Sequence, residues 1–427
     1  MKLQSLLPWP RAPSASCLAL AWVVTLAAAA CVTAETASPA SPSATAKPSE
    51  TALSTSTTSP GPVQPGDSWF AVPSVPYAGA HVMAATAGGP GWVVVGSACP
   101  LGSDACEGLV PAAWTSPDGL TWTRAPRVAA VDFGEMSSVA WNGSVLYAAG
   151  TTGSLTSGTV WRSADGLVWE IVGSGSLFDL GQCFEGCPAL GAVAAGTPGV
   201  VVGGVRLVVS GEHIEVVPAL WFSPDGNSWD VVEGSWLGPK AAGAVPFSDI
   251  VAAGPGFVAT GQVCDPRCRA TTWTSPDGLD WTGPADLPNG RDAVPLRIAA
   301  SRERLVVIAE RCPADPCAAV TTWSSADART WSEAPLEGEP DFRLHGLLAE
   351  SRGRYIVLGS LGGQITVWAS TDGATWERHR SEGLPALGRG DGVLELHLGG
   401  GPLGALLIGE DETAEGVTTR AWISPGG

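Results

Sequence analysis

One nine-residue segment, Trp114-Thr115-Ser116-Pro117-Asp118-Gly119-Leu120-Thr121-Trp122, returns along the whole chain. Related segments begin at Trp161, Trp221, Trp273, Trp323 and Trp368, and a truncated copy runs from Trp422 to Gly427. The leading tryptophans stand 47, 60, 52, 50, 45 and 54 positions apart. A unit recurring about every 50 residues constrains the fold more than any other feature here, because a repeat this small buries its apolar face only by stacking on copies of itself.

Each unit has the same internal order. In the fourth, an apolar run (Ile250-Val251-Ala252-Ala253) leads through Gly254-Pro255-Gly256 to a second β-rich run, Phe257-Val258-Ala259-Thr260-Gly261. A variable loop then leads to the strand bearing the first Trp, and the Ser-Pro-Asp-Gly turn opens a short fourth strand at the second Trp. Short β-prone runs with frequent turn signals and no helical period make a propeller blade. The longest second-to-third connection, Gly204 to Pro218, reads as a projecting hairpin with Gly211-Glu212 at its tip.

The turn residues have physical reasons. Ser and Pro suit the first two places of a type I turn, Gly at the fourth takes positive φ, and the Asp carboxylate accepts nearby backbone N–H groups. Ala328 stands where the fifth copy needs that Gly. The turns resemble the Asp-box, Ser-x-Asp-x-Gly-x-Thr-Trp, of sialidases and sortilin-type propellers. Thr-Trp is kept at Thr121-Trp122, Thr330-Trp331 and Thr375-Trp376, with one residue fewer between Asp and Trp. The resemblance implies scaffold turns on a propeller.

The last copy stops before its second Trp, and the missing piece is found at the other end, in Pro65-Gly66-Asp67-Ser68-Trp69. The expected fold is therefore all-β. It is a seven-bladed β-propeller of four-stranded antiparallel blades over residues 66–427, its last blade closed by the N-terminal strand around Trp69. This explains why the chain has 19 Trp against 8 Phe and 3 Tyr. Fourteen form two per blade, packed between blades; Trp9 and Trp22 precede the domain; Trp92, Trp141 and Trp236 remain. Trp92 starts a second strand and reads as core, and Trp141 sits at a first turn.

Ahead of the repeats, Lys2 and Arg11 precede an apolar stretch from Leu18 to Ala30. That length suits a signal-peptide core and is short for a membrane helix. Ala28-Ala29-Ala30-Cys31 resembles a bacterial lipoprotein signal, with Ala28 where that family usually has Leu; it implies residues 1–30 as signal peptide and lipidation of Cys31. Cleavage after Val32-Thr33-Ala34 is the alternative, giving a secreted protein. Residues 31–65, rich in Ser, Thr, Pro and Ala, read as an extended tether. The expected address is the outer face of the bacterial cytoplasmic membrane or the cell surface, with membrane contact through the lipid anchor only.

Eight further cysteines form four close pairs, Cys99/Cys106, Cys183/Cys187, Cys264/Cys268 and Cys312/Cys317. In an exported chain they read as disulfides; a Cys₄ zinc site is the rival. Three pairs fall in second-to-third loops and Cys183/Cys187 in a connection between blades, so all four belong on one face, opposite the Ser-Pro-Asp-Gly turns.

On that stapled face Trp236 lies in an interblade loop, and the connections entering the first strands carry Asp132, Phe133, Phe247, Asp249, Arg291, Asp292, Arg297, Asp341, Phe342 and His345. Carboxylates, Arg and aromatics together suit carbohydrate or peptide contacts, against the plainer reading of solvated loops. The acidic run Glu410-Asp411-Glu412 with Glu415 reads as a solvated hairpin tip, with Ca²⁺ as the rival. No metal motif, phosphate loop or Ser-His-Asp pattern is recognisable, no cofactor is expected, and no catalytic residue stands out. A net charge of −18 disfavours nucleic acid as a partner. The expected function is a monomeric, tethered, non-catalytic binder of an unknown protein or glycan. The alternative is a sialidase-like or other glycoside hydrolase. Resemblance to sialidases implies a Tyr nucleophile and an Arg cluster; Tyr147 and Tyr355 fall inside second strands, Tyr77 lies in the first connection, and no Arg triad is apparent.

Overall fold

A computed structural model describes residues 64–426, apart from 74–76, 78, 103–105, 107, 130–132, 154–156, 179–189, 211–212, 233–246, 255, 265–266, 313–318, 337–341, 362–363, 380–382, 385–393 and 414–415. It is an all-β propeller of seven antiparallel sheets, each a four-stranded meander. The innermost strands are Ala80–Gly88, Gly134–Trp141, Ala192–Gly196, Phe247–Ala253, Ala293–Ala300, Phe342–Ser351 and Leu394–Gly401. Each packs on the next around the ring, and the seventh packs back on the first. Blade 2 departs from the expected pattern: Arg127–Val128, in the connection from blade 1, adds a fifth strand in parallel to Val168–Gly173. In blade 3 the strands Gly199–Ser210 and His213–Ser223 pair out to Ser210 opposite His213, which is the projecting hairpin.

The recurring turn works as its residues require. Asp118 Oδ1 accepts the N–H groups of Leu120 and Thr121, both at 2.8 Å, and Ser116 Oγ accepts that of Gly119 at 2.8 Å. The pattern repeats at Asp165, Asp225, Asp277, Asp327 and Asp372. The glycine is required twice over. Gly278 has φ +87°, and a Cβ there would stand 2.3 Å from the Phe222 ring of the preceding blade.

Ala328 takes the same left-handed conformation, at φ 60°. A non-glycine residue there costs about 1–2 kcal/mol, and glycine's greater unfolded-state entropy removes part of the gain from relief. Ala328→Gly is therefore expected to stabilise the protein by about 0.5–1 kcal/mol in urea unfolding.

Backbone N–H donors to the ionised form pull the turn carboxyls down, to about 2 at Asp225 and Asp327. Carboxyls lowered in the folded state stabilise it above the unfolded value near 3.9, and that contribution is lost as pH falls from there towards 2. Asp225→Asn is expected to lower the melting temperature at pH 7 and to leave it nearly unchanged at pH 2.

The core consists of seven interblade clusters, each holding the Trp pair of one blade against the sheet of the blade before it. Trp114, for example, packs with Leu406, Ile408 and Ile423 of blade 7, and Trp161 with Val93 and Val95 of blade 1. Indole N–H groups anchor the turns and connections: Trp122 Nε1 donates to Gly119 O at 2.9 Å, and Trp221 Nε1 to Leu177 O at 2.9 Å. Trp92 is fully buried.

A second aromatic layer was not apparent from the repeat. Tyr77, ahead of blade 1, lies edge-on to both Trp114 and Trp122, with centroids at 5.2 and 5.5 Å. Phe178, ahead of blade 3, stacks on Trp221 at 5.3 Å and lies edge-on to Trp229 at 5.6 Å. Among the described residues, the buried Tyr77 hydroxyl has no hydrogen-bond partner. An unmatched buried hydroxyl is a cost, so Tyr77→Phe is expected to raise stability by about 1 kcal/mol, read from the urea midpoint.

The two chain ends build one turn between them. Phe70–Ala71 pairs with Gly416–Pro425, Phe70 opposite Ile423 and Ala71 opposite Trp422, and becomes the fourth strand of blade 7. Gly66 N donates to Ser424 Oγ at 2.7 Å, the bond that Gly119 makes to Ser116 inside a continuous turn. Arg354 of blade 6 holds the segment from the side, donating to Pro65 O at 2.9 Å and Asp67 Oδ1 at 2.7 Å, and His379 Nδ1 stands 3.3 Å from the same carboxylate.

Candidate functional site

In a four-stranded meander the second-to-third loops and the connections between blades emerge on one face. Two disulfides lie there among the described residues, Cys99–Cys106 and Cys264–Cys268. Cys312 is also disulfide-bonded. Cys183, Cys187 and Cys317 fall outside the described residues, as do Asp132, Trp236 and Asp341.

The stapled loop of blade 1 is fastened at several points. Arg124 donates to Cys99 O at 2.7 Å, and Gly134 N donates to Leu109 O at 3.1 Å. The Phe133 ring lies over Gly108, where a Cβ would stand 2.1 Å from it. Phe133 is nonetheless 46% exposed and Leu101, in the same loop, 57% exposed. Both put apolar surface on the stapled face.

Between blades 4 and 5 the face is polar and cationic. Asp292, at φ 56°, links two stapled loops through its backbone: its N–H donates to Cys268 O at 2.9 Å and its carbonyl accepts from Cys312 N at 2.8 Å. Arg267 and Arg291 stand 4.0 and 3.9 Å from its carboxylate and are about two-thirds exposed. Arg269 pairs with Asp286 at 2.8 Å, and Arg311 pairs with Glu333 and donates to Asn289 O at 2.7 Å. Four guanidinium groups thus gather on one part of an acidic protein. Of these, the sequence reading had singled out Arg291 and Asp292.

The remaining candidates belong to the inner strands, not to the connections. Register shifts interrupt five of the inner strands at matching places, among them Phe247/Asp249, Pro295/Arg297 and Leu344/Leu347. Such bulges re-aim side chains. Asp249 accepts the N–H of Ile250 at 2.9 Å and, across the blade boundary, that of Ile298 at 3.1 Å. Burial pushes its carboxyl up, against the opposing pull of Arg297. His345 meets Ser360 Oγ at 3.1 Å, and burial lowers its pKa. Phe247 is a core residue, edge-on to Trp273 at 5.1 Å. Phe342 is the first residue of the inner strand of blade 6.

The inner edge also carries residues that sequence reasoning missed or misplaced. Glu135, on the inner strand of blade 2, is raised by burial and opposed by the charge of His81. Glu410 is no hairpin tip: it is 4% exposed, directly opposite Glu395 in the ladder of blade 7, and accepts the N–H of Val82 of blade 1. His81 Nδ1 stands 3.6 Å from its other oxygen. Glu395 and His397, two residues apart, share one face of their strand, and strand alternation was the signal that could have found them.

No protein-family model matches this chain, and no curated protein matches it. Among solved structures it is similar to Trypanosoma rangeli sialidase bound to the inhibitor DANA, at 13% identity and a TM-score of 0.42, covering 84% of this chain and 58% of that one. It is similar as well to the β-propeller domain of the trilobed protease from Pyrococcus furiosus, at 7% identity and a TM-score of 0.45, covering 80% and 95%. A prolyl endopeptidase gives 11% identity and a TM-score of 0.46 over 81% of this chain and 47% of that one. The chain thus spans less than two thirds of the sialidase's length.

Proposed function

We propose that this protein is an exported propeller with Asp-box-type turns, tethered through Cys31 and the linker to residue 65, that binds an extracellular protein or glycan through its stapled face without catalysing a reaction. The observation that carries this reading is the lacing of two stapled loops through Asp292 beneath a cluster of arginines. Loops fixed by covalent and backbone bonds lose little entropy on binding, and exposed guanidinium groups favour an anionic ligand. Phe133 and Leu101 offer apolar contact on the same face. A sialidase-type mechanism draws no support from the tyrosines, since Tyr77, Tyr147 and Tyr355 are all buried.

The test is a glycan array and a surface-protein screen with the full chain, repeated on Arg267→Ala/Arg291→Ala, Phe133→Ala and Trp236→Ala. The expected result is a saturable ligand whose affinity falls at least about tenfold in the arginine variant and weakens with salt. A ligand indifferent to all three variants, or turnover of aryl glycosides, overturns the proposal. Metabolic labelling with an alkynyl fatty acid, abolished by Cys31→Ser, tests the anchor.

A further inference from the structure

Glu395 and Glu410 are direct cross-strand partners in blade 7. Two carboxylates facing each other across a ladder repel, and a cation between them relieves that repulsion. His397 projects from the same face of the same strand, and one ligand atom from each of the three residues lies within 4.8 Å of the others.

The imidazole has a nitrogen that the fold leaves unused. Its Nε2 is buried and, among the described residues, has no hydrogen-bond partner. Glu410 is oriented, with one oxygen on the N–H of Val82 and the other beside His81. These contacts from blade 1 are the outer layer that metal ligands commonly have.

We propose that Glu395, His397 and Glu410 bind one divalent transition-metal ion of the zinc class at the inner edge of blade 7. One imidazole with two carboxylates suits zinc and its neighbours, whereas Ca²⁺ and Mg²⁺ select all-oxygen shells. Ligand atoms around a zinc ion stand roughly 3–3.5 Å apart, so binding draws the three residues together. Three protein ligands leave a tetrahedral ion one open position. Two basic side chains share this region: His81 beside Glu410, and Arg297, whose charge acts on His397. Two carboxylates are what make the site attractive to a cation in their presence.

The experiment is calorimetric titration of the chelator-treated full chain with Zn²⁺, with Co²⁺ as an optical probe. One equivalent is expected to bind, with visible Co²⁺ absorption and a higher melting temperature. His397→Ala and Glu395→Gln are each expected to weaken binding at least about tenfold while leaving the circular dichroism of the fold unchanged. Glu410 is buried and its loss could unfold the blade, so the half-buried Glu395 carries the test. His379→Ala, remote from the cluster, should leave binding intact. No saturable Zn²⁺ binding at millimolar metal, binding unchanged in His397→Ala, or a preference for Ca²⁺ over Zn²⁺ overturns the proposal.

Discussion

Replacing Trp69 by alanine is expected to cost about 3–5 kcal/mol of unfolding free energy. The side chain is 3% exposed and packs among Leu347, Ile356, Leu358, Val367 and Trp422, so its removal leaves a cavity walled by two blades. The loss also loosens the short strand that occupies the outer edge of blade 7. Phe70, the next residue, is 55% exposed. Its replacement by alanine is expected to change stability by no more than about 0.5 kcal/mol. Urea unfolding of the two variants separates the roles. A Trp69→Ala loss under about 1 kcal/mol would mean that the closing strand contributes little to holding the ring.

Phe178→Ala is expected to have an effect of similar size, about 3–5 kcal/mol, at a residue outside every repeat. The ring is fully buried against Trp221 and Trp229, and the Trp221 indole N–H is held by Leu177 O beside it. Loss of the ring therefore leaves a void and frees the connection that the indole anchors. Near-ultraviolet circular dichroism should register the altered Trp environment, and the urea midpoint should fall. Phe178→Leu should recover more than half of the loss. Equal destabilisation by Leu and Ala would indicate that ring shape, not buried volume, decides the cost.

The architecture was legible in the sequence because the repeat places the same few residues under the same local demands. Asp118 and its counterparts bind N–H groups two and three residues ahead, within reach of any local reading. The complementary ends were legible too, because Gly66-Asp67-Ser68-Trp69 has the form of a turn's second half. The aromatic layer was not, since Tyr77 and Phe178 lie in connections that differ from blade to blade. The inner-edge cluster was hidden by distance: Glu410 meets Val82 across 328 positions, and no local pattern links them. Phe247 was read as a loop aromatic because the start of its strand carries no turn signal, and it is buried in the core instead.

The turn shared between Gly66 and Ser424 also sets an order of events during synthesis. Six blades draw their strands from contiguous stretches and can form as they emerge, whereas Trp69 has no partner strand until Trp422–Ser424 have been made. Contacts of such long sequence separation form late, and until then the outer strand of blade 7 lacks its neighbour and the packing faces of the first and last blades stay uncovered. An unfinished chain is therefore exposed to association through the uncovered face of its first blade for almost its whole period of synthesis.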